Sequence, residues 1–372
     1  MKRLLYLIPL MSLLTGSQVW AAAIAHTFVE QNTNQTTAST TYVDVPGASI
    51  ASGNFTAGKK YLLYITAQAS EDSSGVVRVQ TVHGTTAFAE SPAALPLQSG
   101  TRRIDYGFLT VWTAVASEGI KLQFNVSAGN GNLDQIAMLA VNLSDDVTEN
   151  TDWFSAELAT DEPLGATPDD GALVTFTPGT AGHDWLVLSF SSIDASDALT
   201  SAISRIERSG EASATVPEAR VVPSSTSSIH PFMLARVYNL GAASNTFKEV
   251  SAASGTAHVR LHSTIFALDL NKFRNHVVAY TEADEALSAT DYATLLQTAS
   301  ITPDIAGDVW IVTYWGFDGN NISRMAESRI QLDNVDQPSG QTTDNYQFDV
   351  AGIDATDEDP LTQHTLVSMT AA

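Results

Sequence analysis

Ala57-Gly58-Lys59-Lys60-Tyr61-Leu62-Leu63-Tyr64, Ala181-Gly182-His183-Asp184-Trp185-Leu186-Val187-Leu188 and Ala306-Gly307-Asp308-Val309-Trp310-Ile311-Val312-Thr313 are three versions of one phrase. Each begins with Ala-Gly and runs into an aromatic residue set among aliphatics. The glycines recur at nearly equal intervals, and a fixed long period is the signature of tandem structural units. About twenty residues after each glycine an Arg follows in an apolar alternation: Val77-Arg78-Val79, Ser204-Arg205-Ile206 and Ser328-Arg329-Ile330. Phe108-Leu109-Thr110-Val111-Trp112 is echoed by Phe232 to Tyr238, and Ile136 to Leu143 by Ile265 to Leu270.

Between these landmarks lie runs of four to eight apolar or alternating residues, such as Thr41 to Val45, Lys121 to Val126 and Leu173 to Phe176, bounded by Gly, Asn, Asp, Ser and Pro. A period of two with frequent turn residues indicates strands, and many short strands indicate a sandwich. The expected fold is all-β, in tandem antiparallel β-sandwich domains of jelly-roll or immunoglobulin-like type. The units are expected at 26–148, 149–274 and 275–372, after a secretory signal peptide at 1–25. The third is the short one. Either it is a trimmed but complete sandwich or it lacks a strand, and a missing strand leaves an edge that another chain can fill. Its last strand candidate, Thr365 to Met369, matches either of two late strands in the other units. A helix at Asp291–Ala299 and a loop leading into a strand ending at Thr302-Pro303 are equal readings of that stretch.

Lys2-Arg3, an apolar run from Leu4 to Leu14 and the small residues around Ala21, Ala23 and Ala25 form the signal pattern. The apolar run is too short to span a bilayer, so no membrane insertion is expected after cleavage. The exported chain has no cysteine, which rules out disulfides and thiolate chemistry. Its 372 residues carry 41 acidic and 18 basic side chains, a net charge of −23. Such a surface repels phosphate backbones, so nucleic acid is not an expected partner.

No Gly-x-Ser-x-Gly elbow, His-Glu-x-x-His pair or phosphate loop is present. The expectation is therefore no enzyme, no catalytic residue and no organic cofactor. His258, Arg260 and His262 alternate on one strand and are expected to share a solvated face, with a zinc pair of His258 and His262 as the lesser reading. Glu71 and Asp72, Asp194 and Asp197, and Asp318 and Asn320 follow the repeat glycine at similar distances, each in the loop after an equivalent strand. Hard oxygen ligands in a loop are what Ca²⁺ takes, so these six are the candidate metal residues beside the plainer reading of solvated turns. Tyr61, Trp185 and Trp310 are expected in the core, and Arg78, Arg205 and Arg329 in structural pairs with acidic loops.

Thr40-Thr41-Tyr42-Val43-Asp44-Val45-Pro46-Gly47-Ala48-Ser49-Ile50 resembles segments of β-sandwich domains in phage virion fibres and bacterial surface proteins, over about ten residues. The resemblance implies a structural or attachment role and carries no catalytic residue. The combined expectation is a secreted, extracellular or cell-surface structural or adhesive protein, a subunit of a filament, coat or fibre. Its partners are copies of itself or surface glycans. The alternatives are a lectin-like carbohydrate-binding protein and, after it, a secreted hydrolase.

Overall fold

The computed structural model describes residues 24–71, 75–97, 103–195, 200–211, 218–221, 228–254, 258–272, 276, 307–318, 325–328, 330–332, 335–337, 346–349 and 358–369. Among them the chain is all β, with two short 3₁₀ turns and no α-helix. No helix there is long and apolar enough to cross a membrane. The 291–303 stretch lies outside the described residues.

The first sandwich comprises β1 (His26–Gln31), β2 (Gln35–Thr37), β3 (Val43–Ile50), β4 (Lys60–Glu71), β5 (Gly75–His83), β6 (Thr86–Ala87), β7 (Ala93–Leu97), β8 (Arg103–Thr113), β9 (Ile120–Val126) and β10 (Gly131–Asn142). One sheet runs β1-β10-β4-β8, and it packs on strands ordered β3-β9-β5-β7. The second sandwich comprises β11 (Trp153–Leu158), β12 (Glu162–Leu164), β13 (Asp169–Phe176), β14 (His183–Ala195), β15 (Ala202–Arg208), β16 (Glu218–Val221), β17 (Ser228–Leu240), β18 (Asn245–Ala253) and β19 (His258–Asp269). Its orders are β11-β19-β14-β17 and β13-β18-β15-β16, the same topology strand for strand. The recurring phrase forms β4 and β14. Gly58 and Gly182 lie just before them at φ +81° and +80°, a region only glycine enters without strain.

The two sandwiches stand back to back. In β4, Tyr61, Leu63 and Ile65 point into the first core, while Leu62 and Tyr64 point outward. In β14, Trp185 and Val187 face the second core, while Leu186, Leu188 and Phe190 face outward. The outward sets meet, with Leu139, Phe266 and Leu268, in a third apolar layer. A strand buried on both faces must be apolar at both parities, which is why these segments read as continuous apolar runs rather than alternations. At one point β7 of the first sandwich pairs with β17 of the second, Ala94 against Ile229, so the sheet crosses from one repeat to the next.

The third region contributes β20 (Gly307–Asp318), β21 (Met325–Ser328), β22 (Ile330–Leu332), β23 (Val335–Gln337), β24 (Tyr346–Asp349) and β25 (Glu358–Met369). β20 pairs with β25, β21 with β24 and β22 with β23. β25 takes the place that β10 and β19 hold beside β4 and β14, which assigns the last strand.

Candidate functional site

Among the described residues, the third region differs from its two predecessors beside its central strand. β4 is flanked by β10 and β8, and β14 by β19 and β17. Among the described residues β20 pairs with β25 alone. The chain between the paired strands explains this. Residues 84–119 separate β5 from β9, and 209–244 separate β15 from β18, each stretch holding the long strand β8 or β17. Residues 329–345 separate β21 from β24, about half that length, and part of it is the β22–β23 hairpin. Eight residues, 338–345, separate β23 from β24. A sequence signal for this assignment existed: Leu122-Gln123-Phe124-Asn125-Val126 of β9 matches Tyr346-Gln347-Phe348-Asp349-Val350.

The repeat glycines tell the same story. The Gly58 N–H donates to Ala114 O (2.8 Å) and the Gly182 N–H to Leu240 O (2.7 Å), at the end of β8 and of β17. Gly307 does not share their positive φ. The left-handed turn belongs to the strand it is tied to.

The β20–β25 ribbon docks on the first two sandwiches through specific groups. Trp310 Nε1 donates to His364 Nδ1 (3.3 Å), and His364 Nε2 bonds to Ala137 O of β10 (3.1 Å). This places the ring proton on Nε2. Burial pushes the imidazole down to about 3. Tyr64 packs edge-on against both rings. His26 reaches Asp308 (3.1 Å), and the Tyr314 hydroxyl donates to Glu218 O.

The acidic loop candidates fall at matching strand ends: Glu71 closes β4, Asp194 lies one residue from the end of β14, and Asp318 closes β20. Asp72, Asp197 and Asn320, and the side chains of Glu71 and Asp318, lie outside the described residues. The Asp194 carboxyl is half-buried and pushed up by burial, an effect that His258 opposes. It joins no described group of three metal-binding side chains.

His258, Arg260 and His262 correct the sequence reading. All three are buried, at 0%, 0% and 2% exposure. Nor do they share one face, because a bulge at Leu261 breaks the β14–β19 register between His262 and Arg260. Arg260 turns into the second sandwich. It donates to Asp169 O and Asp170 O (3.0 Å each), pairs with Glu162, and lies 3.4 Å from Glu249 Oε2. Glu249 is fully buried, accepts from the hydroxyls of Ser204 (2.8 Å) and Ser251, and is pushed up to about 7 by burial. Gly171 makes room, since a Cβ there would sit 2.2 Å from Glu249 Oε2.

His262 faces the first sandwich. Its Nε2 lies 3.4 Å from Glu157 Oε1 on β11, and Glu90, from the turn before β7, completes a group whose ligand atoms lie within 4.8 Å of one another. No sequence spacing joins these three, because they come from different repeats.

Tyr61, Trp112, Trp153 and Trp185 are buried and Trp310 is half-buried, so the described tryptophans present no open sugar-stacking face. Trp315 is outside the described side chains. Arg205 pairs with Glu207 and lies 3.8 Å from Glu218, partners on strands rather than in an acidic loop. Arg78 lies near Tyr42. Arg329 is outside the described residues.

No family model matches the chain, and no curated protein matches it. Among solved structures it is similar to a protein of infectious bursal disease virus Gx strain, at 11% identity over 67% of this chain and TM-score 0.21. It spans 39% of that protein. It is similar to the tandem CBM22-1-CBM22-2 domain of Paenibacillus barcinonensis Xyn10C, at 8% identity over 65% of this chain and 93% of that one, TM-score 0.21. It is also similar to the STIV MCP, at 8% identity over 67% and 98%, TM-score 0.22. These are likenesses among β-sandwich chains, and no activity or partner passes through them.

Proposed function

We propose that this chain is an exported, non-enzymatic structural or adhesive protein that assembles with copies of itself, the edge of β20 accepting a strand from a second copy. The observation that supports this reading is that, among the described residues, β20 holds no partner in the position where β4 and β14 each hold a long antiparallel neighbour. An unpaired strand edge is a template for another chain. The chain already joins one repeat to the next by strand pairing, at Ala94 and Ile229, so a second copy is the occupant of matching chemistry.

The acidic surface keeps such subunits soluble until they join. Ca²⁺ at the acidic strand ends is a secondary element of the proposal. Carbohydrate binding is the second reading, and no described aromatic surface favours it.

Light scattering after size exclusion tests the proposal on the chain without residues 1–25. Oligomers that grow with concentration are expected. A peptide copying Ser228–Leu240 should cap β20 and shrink them, whereas a scrambled peptide should not. A monomer at every concentration, or oligomers indifferent to the peptide, would overturn strand addition. Repeating the measurement in EDTA reads out any contribution of Ca²⁺.

A further inference from the structure

Glu90, Glu157 and His262 meet where the two complete sandwiches face each other. Glu90 comes from the first and is buried; Glu157 and His262 come from the second, one exposed and one buried. β11 and β19 pair Glu157 with Thr264, which puts His262 on the same face, one diagonal away. The bulge at Leu261 is what aims the ring out of the second core and across the junction.

Two carboxylates and an imidazole are thus gathered where the two carboxylates repel each other; Glu90 raises the Glu157 carboxyl, after the larger effect of burial. Burial also keeps the imidazole neutral at pH 7, the form that can offer a lone pair to a cation.

We propose that Glu90, Glu157 and His262 bind one divalent cation of the zinc class, which ties the first sandwich to the second. Two carboxylates cancel the charge of such an ion. The 3.4 Å between His262 Nε2 and Glu157 Oε1 is the ligand-to-ligand edge of a tetrahedron with bonds of about 2.0–2.1 Å. Imidazole favours zinc and its neighbours, whereas calcium and magnesium take oxygen ligands alone. The exposed side of Glu157 is the entry path and leaves the fourth position to water. The Thr110 hydroxyl, bonded to Glu90, orients that carboxylate from behind. This site is independent of strand addition at β20.

The test is equilibrium dialysis of the full chain against Zn²⁺ at pH 7.5, with metal counted per chain and thermal unfolding followed in parallel. One Zn²⁺ per chain is expected. Glu157→Gln, at an exposed position that leaves the fold intact, should weaken binding at least tenfold, and His262→Gln should do the same or more. Zinc should raise the unfolding midpoint of the wild-type chain and not that of Glu157→Gln. Co²⁺ in place of zinc should give a visible absorption band that Glu157→Gln loses. Absence of zinc binding, unchanged binding in Glu157→Gln, or an equal rise in midpoint with Ca²⁺ would overturn the proposal.

Discussion

The first and second sandwiches share the strand order of both sheets, yet their cores are built from different chemistry. Leu133 of β10 faces Gln35, and Arg260 of β19, at the same place, faces Glu162. Phe124 lies opposite Val79 where Glu249 lies opposite Ile206, and Val77 pairs with Val126 where Ser204 pairs with Ser251. The first core is apolar at all four positions, and the second places an ion pair and two hydroxyls there. One topology accepts both because a buried polar group is tolerated when most of its polar atoms find partners. Here Gly171, two backbone carbonyls and Glu162 supply the space and the partners. The difference teaches that the register of a sandwich is set by which positions point inward, and not by their being oily.

The sharpest way to break the comparison is Arg260→Leu alone. It gives the second sandwich the residue of the first but, at pH 8 where Glu249 is ionised, leaves that carboxylate buried without its cation, and should cost about 3–5 kcal/mol there. Urea unfolding followed by the fluorescence of buried Trp185 reads the loss; a change under about 1 kcal/mol would mean that the Arg260–Glu249 contact does not hold the core.

Completing the exchange should reverse the sign. Arg260→Leu with Glu249→Phe, Ser204→Val and Ser251→Val rebuilds the first core in the second, and is expected to be neutral or to stabilise by about 1–4 kcal/mol. A quadruple variant less stable than Arg260→Leu would show that the backbones of the two repeats differ more than their ladders do.

Acidity separates the regions further. The Glu249 carboxyl is raised to about 7 in the folded protein, so the fold keeps a proton that the unfolded chain gives up near pH 4.5. The stability of the second sandwich should therefore be greatest below pH 4.5 and decline by on the order of 2 kcal/mol as pH rises to 7. Glu249→Gln should flatten that decline in a series of melts.

His364 has the opposite sign. Its folded value is about 3, against 6.5 for the free side chain, so its contribution is whole above pH 6.5 and is lost as pH falls towards 3. Limited proteolysis across that range should show the third region released before the first sandwich opens. Release at neutral pH, or none at pH 4, would contradict the docking role of His364.

The smallest effect concerns the repeat glycines. Gly58→Ala should cost about 1 kcal/mol, because Gly58 holds a positive φ. Gly307→Ala should cost a few tenths or nothing. Equal losses at the two positions would contradict the link between the left-handed turn and the strand it is tied to.

Much of the architecture was legible along the chain. Strand-like periodicity at Thr41 to Val45, Lys121 to Val126 and Leu173 to Phe176 fell on β3, β9 and β13 with shifted ends, and the Ala-Gly phrase marked β4, β14 and β20. That these runs are buried on both faces emerged only from the packing of the two sandwiches. The site residues were far less legible. His258, Arg260 and His262 followed the alternation of a solvated strand, because a bulge of one residue leaves no mark in the order of side chains. Glu90 and Glu157 looked like any other carboxylates in an acidic protein.

Local order in the chain determined what is local or periodic: the strands, the turns that need glycine, the tandem repetition and the sign of the surface charge. Each follows from backbone sterics or from a count of side chains. Tertiary structure alone decided which faces meet, which strand of the third region pairs on one side only among the described residues, which buried charges find partners, and which carboxylates from separate repeats surround His262. Those outcomes depend on distances between residues far apart in the chain, and no pattern of neighbours along it encodes a distance in space.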